Sequence, residues 1–124
     1  MKLRAAWIVA LCLVTAQATA ATGTGNHLLA SCQAAIRLAA NSDGTDSLRD
    51  AYNAGECLGF LHGVRTMTSM LTLPKSIRSC IPPRATDGQL ARVVVKYLEK
   101  HPAQLDGEQT LLTLLAFQDA FPCK

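Results

Sequence analysis

Apolar residues recur at spacings of three and four along most of the chain after residue 25, whereas alternation with a period of two is not sustained anywhere. The first pattern is typical of helices that bury one face, and the second would be expected of half-buried strands. The sequence therefore predicts an all-α fold, a small disulfide-stapled bundle of about four helices. We expect helices at about residues 26–40, 48–71, 88–101 and 108–121. The predicted inward stripe of the second helix consists of Cys57, Phe60, Leu61, Val64, Met67 and Leu71.

Turn-forming and capping residues separate the predicted helices. Residues 41–47 (NSDGTDS) are rich in turn formers, and residues 73–88 contain three prolines, which interrupt any helix. Thr86 precedes Gln89 by three positions, and Asp106 precedes Gln109 by the same interval, which is the spacing of a capping box. We therefore expect Thr86 and Asp106 to begin the third and fourth helices.

The first twenty residues have the features of a secretory signal peptide. Lys2 and Arg4 precede an apolar run at residues 5–14, and residues 18–20 (ATA) supply small residues for cleavage. No later run reaches the roughly 18 uncharged apolar residues that a transmembrane helix needs. We therefore divide the chain into a signal peptide, residues 1–20, and a single helical domain, residues 21–124, exported to the periplasm.

Four cysteines remain after the signal peptide, and an even number in an exported protein favours disulfide bonds. Cys32 and Cys57 each lie eight residues from the turn of the predicted first hairpin, about 12 Å at 1.5 Å per residue. Cys80 precedes the third helix and Cys123 follows the fourth, so two antiparallel helices of similar length bring those ends together. Among the three possible pairings, the sequence predicts Cys32 with Cys57 and Cys80 with Cys123.

Three glycines, Gly55, Gly59 and Gly63, lie four residues apart and share one face of the second helix. Each destabilises a helix interior by about 1 kcal/mol relative to alanine. Because a bare face allows another backbone to approach closely, we interpret them as helix-packing residues, either within the fold or in a dimer. The alternative is a partner helix or a ligand lying against this face.

The residue types needed for catalysis or metal binding do not occur at suitable spacings. Cys57 and His62 share the run CLGFLHGV, but they lie on different sides of the helix, and a disulfide leaves no thiolate. The three histidines are isolated, and no phosphate loop or nucleophile elbow occurs. We therefore predict no catalytic residues, no metal site and no cofactor, and a protein that is not an enzyme.

The charge balance narrows the class of partner. Without Lys2 and Arg4, the 12 basic residues become ten against nine acidic residues, a net charge of +1. No basic cluster or aromatic platform suits nucleic acid or a membrane surface after signal cleavage. The sequence therefore predicts that the domain binds another protein.

Five blocks in order resemble the Rap/Tai family of immunity proteins: a cysteine in the first helix, then CLGFLHGV, SCIPP, QLARVVVKYLEKHP and a final FPC. The resemblance covers about residues 25–123. It implies an all-helical, disulfide-containing periplasmic antidote, often a homodimer, that occludes the substrate groove of a cell-wall amidase delivered by type VI secretion. The producing cell is thereby protected from self-intoxication. The matching positions are carried over as framework only: Cys57, Gly59, Gly63, Cys80, Pro82, Tyr97, His101, Pro102, Pro122 and Cys123.

Contact positions are not marked by the family pattern, so the candidate partner-binding surface comes from the residues themselves. The first choice is the proline-bounded connection after the second helix, and the second choice is the turn at residues 41–47. An alternative function is a periplasmic acid-stress chaperone, or another exported helical binding protein without an amidase partner. The first-choice residues are Lys75, Ser76, Ile77, Arg78 and Arg84.

Overall fold

Four α-helices and one short 3-10 helix make up the regular structure of the computed structural model, which describes residues 23–41 and 47–124. The elements are α1 (Gly25–Ala40), α2 (Leu48–Met70), α3 (Asp87–Lys100), the 3-10 helix (Pro102–Gln104) and α4 (Gln109–Ala120). The predicted all-α fold is confirmed, and each predicted helix end lies within one residue of the observed one. The predicted signal peptide lies outside the described residues.

Side-chain caps set where the helices begin. The Thr86 hydroxyl accepts a hydrogen bond from the Gln89 N–H at 3.2 Å, so the predicted cap of α3 is confirmed. The prediction that Asp106 caps α4 is wrong. Glu108 is the N-cap, and its carboxylate accepts hydrogen bonds from the backbone N–H groups of Thr110 and Leu111, each at 2.9 Å.

Pairing with the residues just before α1 explains why α4 begins two residues later than Asp106 would allow. Glu108 forms an antiparallel bridge with Thr24, and the Gln109 N–H donates to the Gly23 carbonyl at 2.8 Å. Gly25 lies so close to this segment that a Cβ on it would come within 3.0 Å of the Leu105 carbonyl oxygen. The chain is therefore extended at Glu108, and the helix starts only after it.

The core forms where α1 packs against both α2 and α3, and α4 packs mainly against α3. On α2 the inward stripe is correct for Cys57, Leu61 and Val64, which are buried. It is wrong for Met67 and Leu71, which are 43% and 53% exposed. Since α2 has 23 residues and its antiparallel neighbour α1 has 16, the last turns of α2 extend past α1. The largest fully buried side chains are Phe117, Leu28, Leu61, Leu90, Leu98 and Val94.

Both predicted disulfides are confirmed, and they differ in accessibility. Cys32 and Cys57 are joined with their Cα atoms 5.1 Å apart, and both residues are 0% exposed. Cys80 and Cys123 are joined with Cα atoms 5.0 Å apart, but Cys80 is exposed and Cys123 half-buried. The loops they close, 25 and 43 residues long, correspond to about 3–4 kcal/mol of stabilisation each by the chain-entropy argument.

In the described residues, no helix is long and apolar enough to cross a bilayer.

Mild reduction followed by alkylation is expected to modify Cys80 and Cys123 well before Cys32 and Cys57. A reductant must reach a sulfur atom to attack it, and only the second disulfide lies at the surface. Mass mapping of alkylated peptides over time gives the order. Equal rates of modification at all four cysteines would contradict the difference in burial.

Acid is expected to weaken the fold through Glu108 and Asp50. Burial alone would raise the pKa of the Glu108 carboxyl, but hydrogen bonds from Thr110 and Leu111 outweigh it, so its pKa is lowered. Hydrogen bonds from Arg37 and Ser47 likewise lower the pKa of Asp50. A lowered folded-state pKa means stability that is complete above the unfolded pKa, about 4, and is lost as the pH falls through the folded value.

The Glu108→Ala variant is expected to lose about 1 kcal/mol of unfolding free energy at pH 6 and much less near pH 2. Asp106→Ala is the matched control, because the Asp106 side chain has no hydrogen-bond partner among the described residues; its change should stay within about 0.5 kcal/mol. Urea unfolding at each pH measures both. A larger loss in the control would restore Asp106 as the cap.

Candidate protein-binding surface

The connection between α2 and α3, residues 71–86, has an ordered path closed by two turns. The Ile77 N–H donates to the Pro74 carbonyl at 3.1 Å, and the Ala85 N–H donates to the Pro82 carbonyl at 3.0 Å. Between these turns the Cys80 N–H donates to the Phe121 carbonyl at 2.8 Å, beside the second disulfide. The C-terminal end of the chain therefore holds the middle of the connection.

Arg65, near the end of α2, fixes the second half of the connection. Its guanidinium donates to the main-chain carbonyl of Ala85, to that of Pro83 at 3.0 Å and to that of Pro82 at 3.4 Å. One cation thus satisfies three main-chain carbonyl oxygens in a segment where proline leaves few N–H donors. No pattern in the sequence marks Arg65 for this role, because its acceptors are main-chain atoms.

Apolar side chains anchor the connection from below. Leu73, Ile77 and Ile81 pack against the core, and Ala85 is 7% exposed. Ile77 was expected among the partner-binding residues, but its side chain is partly buried against the core. Ile77 therefore helps to anchor the connection, and its contact with a partner stays a prediction.

The other four predicted residues, Lys75, Ser76, Arg78 and Arg84, are exposed on this fixed backbone. Within residues 23–41 and 47–124, their side chains make no hydrogen bond or ion pair, whereas Arg37 is paired with Asp50 at 2.9 Å. Residues 71–86 contain three cations and no Asp or Glu. The connection therefore presents uncompensated positive charge, and we call these four residues the connection surface.

A groove of about 350 Å³ lies beside the connection, where it leaves the last turns of α2. A larger groove of about 530 Å³ runs between α1, α2 and the start of α3, and its lining contains no Cys, His or carboxylate residue. The smaller groove makes the protein surface concave next to the connection surface. It is lined by Arg65, Thr68, Ser69, Ser79, Cys80, Ile81 and Pro83.

The glycine face of α2 points to solvent. Gly55, Gly59 and Gly63 are exposed, and a Cβ built on any of them would meet no atom within 4 Å. Packing of this face within the chain, one half of the interpretation from the sequence, is therefore not observed. Packing against a second molecule stays a prediction.

The histidines are dispersed, each with its own contact. His27 pairs with Glu56 at 2.8 Å and His62 with Asp87 at 3.1 Å. His101 stacks on Tyr97, with ring centroids 4.2 Å apart, and its Nδ1 lies 2.7 Å from the Tyr97 carbonyl oxygen. In the described part of the chain, no three His, Cys, Asp or Glu residues are grouped so that they could hold a metal ion. Cys57 is bonded to Cys32, whereas His62 is paired with Asp87, so the two side chains have different partners.

These features define a helical protein with two disulfide crosslinks. The connection between α2 and α3 is held in place and carries unpaired positive charge. Comparison with protein families matches residues 24–123 to the Rap1a immunity proteins. The chain therefore belongs to the Rap1a immunity protein family, which confirms the resemblance seen in the sequence. Comparisons with curated proteins and with solved structures gave no match.

Family membership implies an immunity protein for a secreted effector, and hence a protein partner. It suggests an inhibitor that is not an enzyme, and proteins of this family are commonly exported. The four exposed residues of the connection are the candidate contacts that the structure leaves open to such a partner.

Replacing Arg65 with glutamine is expected to destabilise the protein by about 1.5–3 kcal/mol, the usual contribution of hydrogen bonds to a charged group. Urea unfolding measures this loss, and hydrogen exchange at the Ala85 amide should become faster because the turn that holds it loosens. Arg84→Gln is the matched control, since Arg84 has no partner within the described residues, and its effect should stay within about 0.5 kcal/mol. Equal effects of the two variants would show that Arg65 does not hold the connection.

Proposed function

We propose that the domain at residues 21–124 is a periplasmic immunity protein that binds and occludes a peptidoglycan amidase effector of a type VI secretion system. The observation that carries the proposal is the family match over residues 24–123. The producing cell would thereby be protected from its own effector and from that of its siblings.

Export to the periplasm is supported by two independent features. Residues 1–20 have the composition of a signal peptide, and both disulfides require a compartment in which thiols are oxidised. An amidase that cleaves peptidoglycan acts in this same compartment. The antidote and its target would therefore meet where the damage would occur.

Inhibition would require only that the protein cover the cleft of the amidase. The connection surface suits this role because its backbone is held by Arg65, the second disulfide and the apolar anchors before any partner arrives. A preorganised loop loses little conformational entropy on binding. Its unpaired cations would favour an acidic rim around the amidase cleft and would increase the association rate more than the affinity. The segment at residues 41–47, of which 42–46 lie outside the described residues, stays the second candidate.

Purified oxidised protein is expected to inhibit its cognate amidase in a peptidoglycan hydrolysis assay, with one inhibitor chain needed per enzyme molecule. An amidase effector of a different subfamily serves as the control, because each antidote is matched to its own toxin. Co-purification from the periplasm under oxidising conditions identifies the cognate enzyme. Failure to bind or inhibit any effector encoded beside the gene would overturn the proposal.

The surface itself is tested by charge reversal. Changing Lys75, Arg78 and Arg84 together to glutamate is expected to weaken amidase binding at least ~100-fold, because like charges placed opposite each other destabilise a complex by several kcal/mol. Titration calorimetry at two salt concentrations measures the loss.

The matched control reverses three exposed cations of α3, Arg92, Lys96 and Lys100, so that the net charge changes equally. Its affinity should change less than about tenfold, since charges distant from the interface contribute little. If the α3 variant loses inhibition and the connection variant keeps it, the binding surface lies on α3.

A further inference from the structure

The end of α2 carries a patch of exposed apolar side chains. Val64 is the last buried residue of the helix, and six helical residues follow it, about 9 Å of helix. Beyond Val64, Met67 is 43% exposed, Met70 78% and Leu71 53%. Met70 and Leu71 follow Met67 by three and four residues, a spacing that places the three side chains on one face. We call these three residues the α2 tip.

The size of the α2 tip is that of an interaction surface. Three large side chains that are about half exposed or more present roughly 300 Å² of mostly apolar surface. The largest apolar patch on a typical monomer has this size and is often functional. The other exposed large hydrophobic residues of the described ranges lie elsewhere, Leu48 and Tyr52 near the start of α2 and Leu111 on α4.

Unpaired positive charge adjoins the α2 tip. The chain passes directly from Leu71 into the connection, and residues 65–86 contain four cations and no Asp or Glu. Three of these cations, Lys75, Arg78 and Arg84, are exposed members of the connection surface. The last turns of α2 and the connection also line one groove together. The α2 tip and the connection surface are therefore neighbouring parts of one end of the molecule.

We propose that the α2 tip is the apolar centre of the interface with the effector, and that oxidation of Met67 and Met70 to sulfoxides weakens this interface. The inference rests on the proposed function and adds an apolar contact to the cationic one. Specific interfaces have an apolar centre and a polar rim, and methionine is enriched in them because its flexible thioether adapts to the partner. The matching effector surface would be an apolar cleft edge bordered by carboxylates.

The charges favour the effector over a second copy of this chain at the α2 tip. Two copies that met there on a two-fold axis would place the same patch, with the same unpaired cations, opposite itself. Like charges placed opposite each other destabilise a complex. A partner with an acidic rim carries no such penalty.

Methionine gives this interface a chemical sensitivity. After Met1, the chain contains only Met67 and Met70, and the four cysteines after residue 20 are all in disulfides. Hydrogen peroxide transfers one oxygen atom to each thioether sulfur and leaves as water. The sulfoxide is polar and is unfavourable in an apolar contact. Since Met70 is the more exposed of the two, we expect it to be oxidised first.

Peroxide treatment of the purified, disulfide-bonded protein is expected to weaken its binding to the amidase effector encoded beside the gene at least ~10-fold. Titration calorimetry measures the affinity, and mass spectrometry should show two added oxygen atoms. The midpoint of urea unfolding should not change, because both methionines are exposed. The double variant Met67→Leu with Met70→Leu is the matched control. Leucine is apolar and has no sulfur, so this variant should keep its affinity before and after peroxide.

The double variant Met67→Gln with Met70→Gln tests the patch without an oxidant. Glutamine resembles methionine in length and helix propensity but is polar, so amidase binding should weaken at least ~30-fold. Leu48→Gln, at the opposite end of α2 and 88% exposed, should change the affinity less than about twofold.

Unchanged affinity after peroxide and in the double glutamine variant would overturn the inference alone. Altered self-association in sedimentation equilibrium, with unchanged amidase affinity, would overturn it in favour of a second copy. Failure of the untreated protein to bind any such amidase would contradict the proposed function and, through it, this inference.

Discussion

The buried crosslink between Cys32 and Cys57 fixes the geometry on which the other surfaces of the molecule depend. It joins α1 to α2 in the centre of the core, where both residues are fully buried, and α1 in turn packs against α3. Cys57 lies two residues from Gly55 and two from Gly59, which is about 200° around a helix in each case. Because the sulfur must point inward, these glycines must point outward. The same bond that closes the hairpin therefore turns the glycine face of α2 to solvent.

The second disulfide acts on the periphery. Cys80 lies in the connection and Cys123 follows α4, so this bond joins a proline-rich segment to the C-terminal residues and not one core element to another. Arg65 holds the same segment through hydrogen bonds to main-chain carbonyl oxygens. Leu73, Ile77 and Ile81 anchor it by packing against the core. A stretch of sixteen residues without regular structure is in this way fixed along its whole length.

Features set by local chemistry could be predicted from the sequence, and features set by tertiary contacts could not. Helix ends were within one residue because prolines and caps such as Thr86 act on their immediate neighbours. The disulfide pairing followed from helix lengths together with the antiparallel arrangement that short connections favour. The cap of α4 was misplaced because the bridge between Glu108 and Thr24 joins distant parts of the chain. Likewise, the exposure of Met67, the anchoring role of Ile77 and the contacts of Arg65 depend on which helix is longer and where the connection returns.

The residues that hold the connection in place differ from the residues that would select a partner. Arg65 contacts main-chain oxygens, the disulfide uses Cys80, and the apolar anchors are partly buried, so none of these contacts involves the side chains of Lys75, Ser76, Arg78 or Arg84. Substitution at those four positions would change the charge and shape of the surface without removing a contact that supports the backbone. An antidote must match one toxin and reject others, which requires a surface that can vary on a framework that cannot. The connection provides this combination, and the helical core with its buried crosslink provides the framework.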